Sequence, residues 1–217
     1  MRSINTMSLK HYVLVTLCCM GLVCNEAVWA ANDDHDGFTN VHASDKLTLS
    51  ISEAAEEPIV KTYLKTEVKN ATVDQIKDLI FDLDTMSSWL GGVKKVNLIE
   101  KYSDTKQRGR FINGMPFPLD DRQIVMIQEV TEATPERISI RLTSDYTNLE
   151  KTTKYVSVEP YNGEWTLTQV GSNVQVELSD VYNAKIASLP QYLVVAHIKG
   201  AANDTIDTLA ALTLKSD

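Results

Sequence analysis

The chain of 217 residues carries 29 acidic against 21 basic side chains, a formal net charge of −8, with 43% hydrophobic residues. An acidic chain without a basic stripe repels phosphate backbones, which argues against nucleic acid as a partner and against tight binding to an anionic membrane surface. The length suffices for one domain of ordinary size, and Cys18, Cys19 and Cys24 are its only thiols.

The N-terminal residues read as a secretory signal over residues 1–30. Arg2 and Lys10 precede an apolar run, Tyr12 to Val23, and Val28-Trp29-Ala30 offers the small and aliphatic residues of a cleavage site. That run is too short to span a hydrocarbon core of roughly 30 Å as a helix, which disfavours a retained anchor. Gly21-Leu22-Val23 lacks the pattern of a lipid-attachment site at Cys24. Cleavage after Ala30 removes every cysteine, so neither a disulfide, a thiolate metal site nor a cysteine nucleophile is expected, and the predicted location is the periplasm. It also removes Arg2 and Lys10 against Glu26, making the charge one unit more negative.

Residues 31–45 are polar, acidic and aperiodic, and read as a flexible leader. Asp33-Asp34-His35-Asp36 within it reads as a solvated tail rather than a cation site, because a mobile segment does not preorganise ligands. A domain is expected from residue 46 to 217. Lys46 to Ser52 alternates as a half-buried strand, and Ile59 to Val68 is a second. The period then changes: Thr72 and Gln75 form a capping-box pattern ahead of Val73, Ile76, Leu79, Ile80 and Leu83 at helical spacing. Asp84 to Leu90 predicts a short helical turn carrying Trp89, ended by Gly91-Gly92.

Strands are predicted next at Val93–Lys101, Gln107–Asn113, Arg122–Thr131, Arg137–Thr143, Lys154–Gln169 and Asn173–Asn183, with a bulge or bend in the fifth at Glu159 to Gly163. The last element is a helix with Pro190 at its first helical position and an apolar face of Val194, Val195, Ile198, Ala202, Ile206, Leu209 and Leu212. Gly200-Ala201-Ala202 in its middle lowers helix propensity, which implies that room is needed there. The fold class is α+β, an antiparallel sheet with one long terminal helix and a short helical pair after the first strands.

Four stretches carry a family resemblance over about Lys46 to Leu214. They are Asp82-Leu83-Asp84 through Trp89; Pro116-Phe117-Pro118-Leu119-Asp120-Asp121-Arg122-Gln123; Val156-Ser157 followed by Gly163-Glu164-Trp165-Thr166-Leu167; and Leu189-Pro190-Gln191-Tyr192-Leu193-Val194. In order and spacing they resemble the bacterial START-like domains of the helix-grip (SRPBCC, polyketide cyclase-like) superfamily. The resemblance implies a curved antiparallel sheet wrapped around the C-terminal helix, with a cavity between them for a lipid or other hydrophobic small molecule. Phe117, Gln123, Ser157 and Asn183-Ala184 depart from the family pattern and leave fewer charges for a polar network, so a ligand does not carry over from other members.

Family topology would turn Ile124, Met126 and Gln128 toward that cavity, although the alternation of this strand leaves neither face fully polar. Gln128 is the favoured polar anchor, and Met126 suits an adaptable lining. Arg122 is expected in a structural ion pair with Asp120 or Asp121, the alternative being a ligand headgroup. Trp89, Phe117, Trp165 and Tyr192 either line or gate the pocket or pack in the core. Ile138, Ile140 and Leu142 are expected as greasy wall. His197 is a ligand contact or an ordinary helix histidine, and Ala201 leaves space beside it. Pro116 and Pro118 are expected to hold Phe117 over the sheet edge.

No nucleophile elbow, glycine-rich phosphate loop or second folded-region histidine is present, so no catalytic residue, metal or cofactor is predicted. The reading is a carrier of a hydrophobic small molecule or lipid with transient membrane contact. The alternatives are a periplasmic protein-interaction module with a filled groove, or a cyclase- or hydrolase-like enzyme, preferred if polar groups converge in the cavity.

Overall fold

Alternation builds the sheet. In the computed structural model, described here for residues 37–52, 59–150, 152–185 and 190–212, ten strands form one antiparallel sheet, apart from a single short parallel pairing. The N-terminal segment read as a secretory signal, the first residues of the expected leader, residues 186–189 and the chain beyond Leu212 lie outside the described residues. The strands are β1 (Phe38–Ala43), β2 (Leu47–Ser52), β3 (Ile59–Val68), β4 (Val93–Ser103), β5 (Lys106–Asn113), β6 (Arg122–Ala133), β7 (Arg137–Ser144), β8 (Val156–Ser157), β9 (Tyr161–Val170) and β10 (Asn173–Asn183). They run in the order β1-β2-β3-β10-β9-β7-β6-β5-β4, with β8 joining β6 in parallel. The sheet curves around helix α2 (Gln191–Ala211), and the shorter α1 (Val73–Phe81) lies against β7 and β9.

At the sheet's centre, β3 and β10 pair without a break from Val174 opposite Val68 to Asn183 opposite Ile59. Residues two apart share a face. Val60, Thr62, Leu64, Thr66 and Val68 on β3 are therefore joined by Val174, Val176, Leu178, Asp180 and Tyr182 on β10. That shared face looks toward α2, whose Ile206 carbonyl accepts a hydrogen bond from Thr66 Oγ1 at 3.3 Å. One core spans sheet and both helices, with Leu47, Ile76, Phe111, Ile140, Leu167 and Leu209 among its most deeply buried members.

The helix ends follow their local chemistry. Thr72 Oγ1 accepts from the Gln75 backbone N–H at 3.3 Å while Gln75 Oε1 accepts from the Thr72 N–H at 3.0 Å, the reciprocal cap that the spacing predicts. Residues Met86–Ser88 make one 3₁₀ turn within the predicted 84–90 segment. Pro190 stands one position outside α2 as its cap, with extended ψ of 129°, and not at the first helical position. Its carbonyl accepts from the Leu193 N–H at 3.0 Å, so it starts the helix without joining it.

Two expectations are corrected. Phe38–Ala43, assigned to the flexible leader, is strand β1 hydrogen-bonded to β2, with the Lys61 ammonium 4.0 Å from the Phe38 ring centroid. The sheet thus begins ahead of residue 46. The single strand expected over Lys154–Gln169 is two: β8 adds briefly to β6 and β9 lies between β7 and β10, because the chain must cross from one to the other around Glu159-Pro160.

Gly91 explains part of the small-residue stretch in α2. A Cβ at Gly91 would stand 2.1 Å from the Ala201 carbonyl oxygen, so only glycine lets the 91–92 turn press against the helix. The Gly91 N–H donates to Thr205 Oγ1 at 2.9 Å, and that hydroxyl donates to Ala201 O at 3.0 Å. Gly92 follows with φ of +76°, which also favours glycine.

Candidate functional site

Beneath α2 the side chains do not close on the sheet, and two adjoining cavities remain. The inner one, about 140 Å³, is walled by Leu64, Phe111, Met126, Leu142, Trp165 and Leu178 and roofed by Ala202 and Thr205. The outer one, about 310 Å³, lies between the Met115–Leu119 loop and the first turns of α2. Gly91, Asn113, Ile124, Tyr182, Ile198 and Ala201 line both and form the waist. Pockets of this kind, apolar with a few placed polar groups, suit small hydrophobic ligands.

The inner cavity holds one charged residue among the described ones that line it, Asp180. It sits on β10 directly opposite Thr62 of β3 and Gly163 of β9. A Cβ at Gly163 would stand 2.9 Å from the Ser179 carbonyl oxygen and 3.1 Å from the Asp180 Cβ, so the glycine lets β9 lie close against β10 at this point. Tyr161 OH donates to Asp180 Oδ2 at 3.1 Å. Asp180 Oδ1 and Thr62 Oγ1 are shut from solvent, and the Thr62 hydroxyl faces the carboxylate as a donor that favours its charged form. Asp180 as a whole is only partly buried, and since it lines the inner cavity we take its remaining accessible surface to face that hollow. Burial pushes its carboxyl up to about 7 against hydrogen bonds from Tyr161 and Thr62, which pull the other way. The Tyr161 and Tyr182 phenols are raised by burial and by the neighbouring carboxylate. Polar groups thus converge at one point in an otherwise greasy hollow.

The predicted residues distribute as follows. Ile124 reaches both cavities; Met126, Gln128, Leu142 and Trp165 line the inner one. Gln128 is almost fully buried, and its Oε1 already accepts from Gln107 Nε2 at 2.9 Å, so this oxygen serves the fold. Trp89 packs against Trp165 with ring centroids 6.1 Å apart and planes tilted by 59°, and Ile140 is completely buried; neither Trp89 nor Ile140 lines a cavity.

Phe117, Arg122, His197 and Ala201 line the outer cavity. Phe117 is 98% exposed and not packed over the sheet edge, because the loop turns its ring out at the mouth. Tyr192, 71% exposed, stands on the first turn of α2 outside both cavities. Arg122 does not form the expected ion pair. Its guanidinium donates to the backbone carbonyls of Asp120, Ala184 (3.5 Å) and Lys185 (2.9 Å), tying the end of β10 to the start of β6. Asp121 instead accepts from Lys94 at 2.8 Å and caps the Met115 N–H at 3.0 Å. Burial and the nearby Arg122 charge hold the His197 imidazole below its usual range, which favours the neutral ring. Among the described residues no three of His, Cys, Asp and Glu come together as a metal site.

Asp180, Thr62, Tyr161 and Tyr182 were not singled out from the sequence. The signal was present in the parity of β10, where Val174, Val176 and Leu178 are followed at the same phase by Asp180.

A sequence profile of the family described as "Polyketide cyclase / dehydrase and lipid transport" matches residues 59–213. No curated protein matches the chain by sequence. Among solved structures, the fold is similar to a STAR-related lipid transfer protein fragment from Xanthomonas axonopodis, at 18% identity and TM-score 0.63, covering 81% of this chain and 98% of that one. It is also similar to the lipid transfer and protein localization domain of human StarD13 (10% identity, TM-score 0.60, 81% and 90% coverage). Human StAR-related lipid transfer protein 5 is a further structure of this shape (13% identity, TM-score 0.57, 82% and 86% coverage).

Proposed function

The chain belongs to the polyketide cyclase/dehydrase and lipid transport family, and from that premise we propose that it binds one hydrophobic small molecule between sheet and α2 and carries it between membranes. The observation that carries this reading is the pair of adjoining hollows under α2, which the protein's own side chains leave open. Their volumes are about 140 and 310 Å³, and together they offer room for a small hydrophobic ligand. Removing such a ligand from water supplies the affinity, at about 25 cal/mol per Å² of apolar area.

The mouth supports the carrier reading. Phe117, Tyr192 and Leu193 (98, 71 and 47% exposed) stand around it and would dip into the apolar edge of a bilayer during transfer. The secretory N-terminus would deliver the protein to the periplasm. Purified protein is expected to release a single-chain or small-ring hydrophobe on organic extraction, with the same mass added in native mass spectrometry. Protein recovered empty in repeated preparations, with no affinity for fatty alcohols, acids or aromatic hydrophobes, overturns the proposal.

A second reading is catalysis in the same hollow. It is favoured by Asp180 with Tyr161, a carboxyl group whose proton is available near neutrality beside a phenol that donates to it. Recovery of a chemically altered ligand after incubation, lost on Asp180→Asn, would select this reading over simple carriage.

A further inference from the structure

The two ends of the hollow differ in charge. Asp180 stands in the inner cavity, whereas no carboxylate lies among the described residues that line the outer one. The formal charge in that outer lining is the guanidinium of Arg122, a buried residue that still borders the cavity. Its hydrogen bonds within the fold go to the backbone carbonyls of Asp120, Ala184 and Lys185, all of them neutral groups. Asp121 is engaged by Lys94 and the Met115 N–H, and Asp120 is exposed. These two carboxylates oppose the cost of burying the guanidinium from nearby, but neither pairs with it. A guanidinium carries five N–H groups, so three carbonyls leave two of them over. Buried cations are ordinarily matched by an anion, and here the fold supplies none in contact.

The neighbours of Arg122 in the outer lining point the same way. His197 on α2 is close enough for the guanidinium charge to disfavour its imidazolium. Asn113 and Tyr182 add an amide and a phenol at the waist. All of these side chains can donate a hydrogen bond. The first turn of α2, which contributes Leu193 and Val194 to the cavity, contains no acid, and a helix start carries partial positive charge. The group that completes such a set accepts hydrogen bonds and is negatively charged. An ammonium is repelled by Arg122, and a neutral ester leaves the charge unmatched. A ligand turned end for end would bring its anion to the carboxyl group of Asp180. Its apolar body therefore passes the Ile124–Ala201 waist and lies against Phe111, Met126 and Leu142.

We propose that the ligand is an apolar molecule with one anionic end, a carboxylate or a phosphate, held head outward: Arg122 and His197 bind the anion in the outer cavity while the hydrocarbon fills the inner one. The assignment rests on the binding function proposed above and narrows it to a ligand class and an orientation.

The test displaces a neutral, environment-sensitive hydrophobic fluorophore from the purified protein with ligands that share one chain: dodecanoate, dodecyl phosphate, methyl dodecanoate and dodecylamine. At about pH 8, where both acids are ionised, at least one anion is expected to bind roughly 10- to 100-fold more tightly than the ester, as hydrogen bonds to a charged group imply. The tighter of the two anions identifies the head group. Arg122→Met should bring anion and ester within about twofold while ester affinity holds. Because Arg122 also ties β10 to β6, His197→Leu gives a second reading away from that tie, and the anion-to-ester ratio should fall about three- to tenfold. A gain of about tenfold or more in anion affinity on Asp180→Asn would put the anion at the inner end and overturn the orientation. Equal affinity of the wild-type protein for anions and ester, or a preference for the amine, overturns the anionic head while the binding function stands. No binding of any of the four removes the binding function and the head-group assignment together.

Discussion

Replacing Asp180 by Asn should stabilise the protein, and the gain should grow with pH. The Asp180 carboxyl is raised from 3.8 to about 7 because burial penalises its charged form more than the hydrogen bonds from Tyr161 and Thr62 favour it. Below the lower value, both folded and unfolded chains hold the proton and the residue contributes no penalty. Between the two values the unfolded chain has released the proton while the folded chain keeps it. Stability then falls as pH rises, by about 1.4 kcal/mol per pH unit. Above about 7 both states are ionised and the full cost is present, about 4 kcal/mol over a span of some three units. Asn cannot titrate and retains an acceptor for the Tyr161 hydroxyl. The difference between the two proteins isolates this group, since the other titrating side chains are common to both. Urea unfolding of ligand-stripped protein from about pH 4 to about pH 8 measures it. The stability difference in favour of Asn should climb steadily and level off near neutrality. A difference that does not change over this range would mean that Asp180 ionises as freely folded as unfolded, and the account of a carboxyl kept protonated by burial would fail.

Gly91→Ala places a methyl group 2.1 Å from the Ala201 carbonyl oxygen and must push α2 off the 91–92 turn. A loss of about 1–3 kcal/mol in urea unfolding is expected, and a midpoint equal to wild type would contradict the close approach. Phe117→Ala, at a 98% exposed ring, should leave stability within about 0.5 kcal/mol. The same change should slow movement of a fluorescent lipid between vesicles, and an unaltered rate would remove Phe117 from the membrane-facing rim.

Much of the sheet was legible because strands such as β2, β3 and β10 bury every second residue. Ile59–Val68 and Asn173–Asn183 have the limits that their alternation predicts, and the Thr72–Gln75 cap fixes where α1 begins. β1 was missed for a physical reason. Its six residues include only two large apolar side chains, Phe38 and Val41, and its order comes from pairing with β2, a nonlocal contact that composition cannot report. The same holds for Arg122. Aspartates adjacent in sequence suggested an ion pair, but its partners include the carbonyls of Ala184 and Lys185, brought near only when β10 returns across the sheet. Asp180 is a different case. Its parity within β10 marks it as an inward charge in the sequence itself; what the sequence could not give is that Thr62 and Gly163 stand opposite it on the neighbouring strands.

The two parts of the hollow divide the work of recognition. At about 0.8 kcal/mol per buried CH₂, a chain of a dozen carbons gains on the order of 10 kcal/mol before the costs of association, whatever its end group. The wall therefore sets affinity and discriminates poorly among hydrophobes of similar length. A single hydrogen-bonded oxygen is worth less in total, about 1–3 kcal/mol, but all of that is difference between one ligand class and the next. Asp180 lines the inner part of the hollow and not the outer one, so only a molecule that passes the Ala201 waist comes near the carboxyl group and the Tyr161 phenol that donates to it.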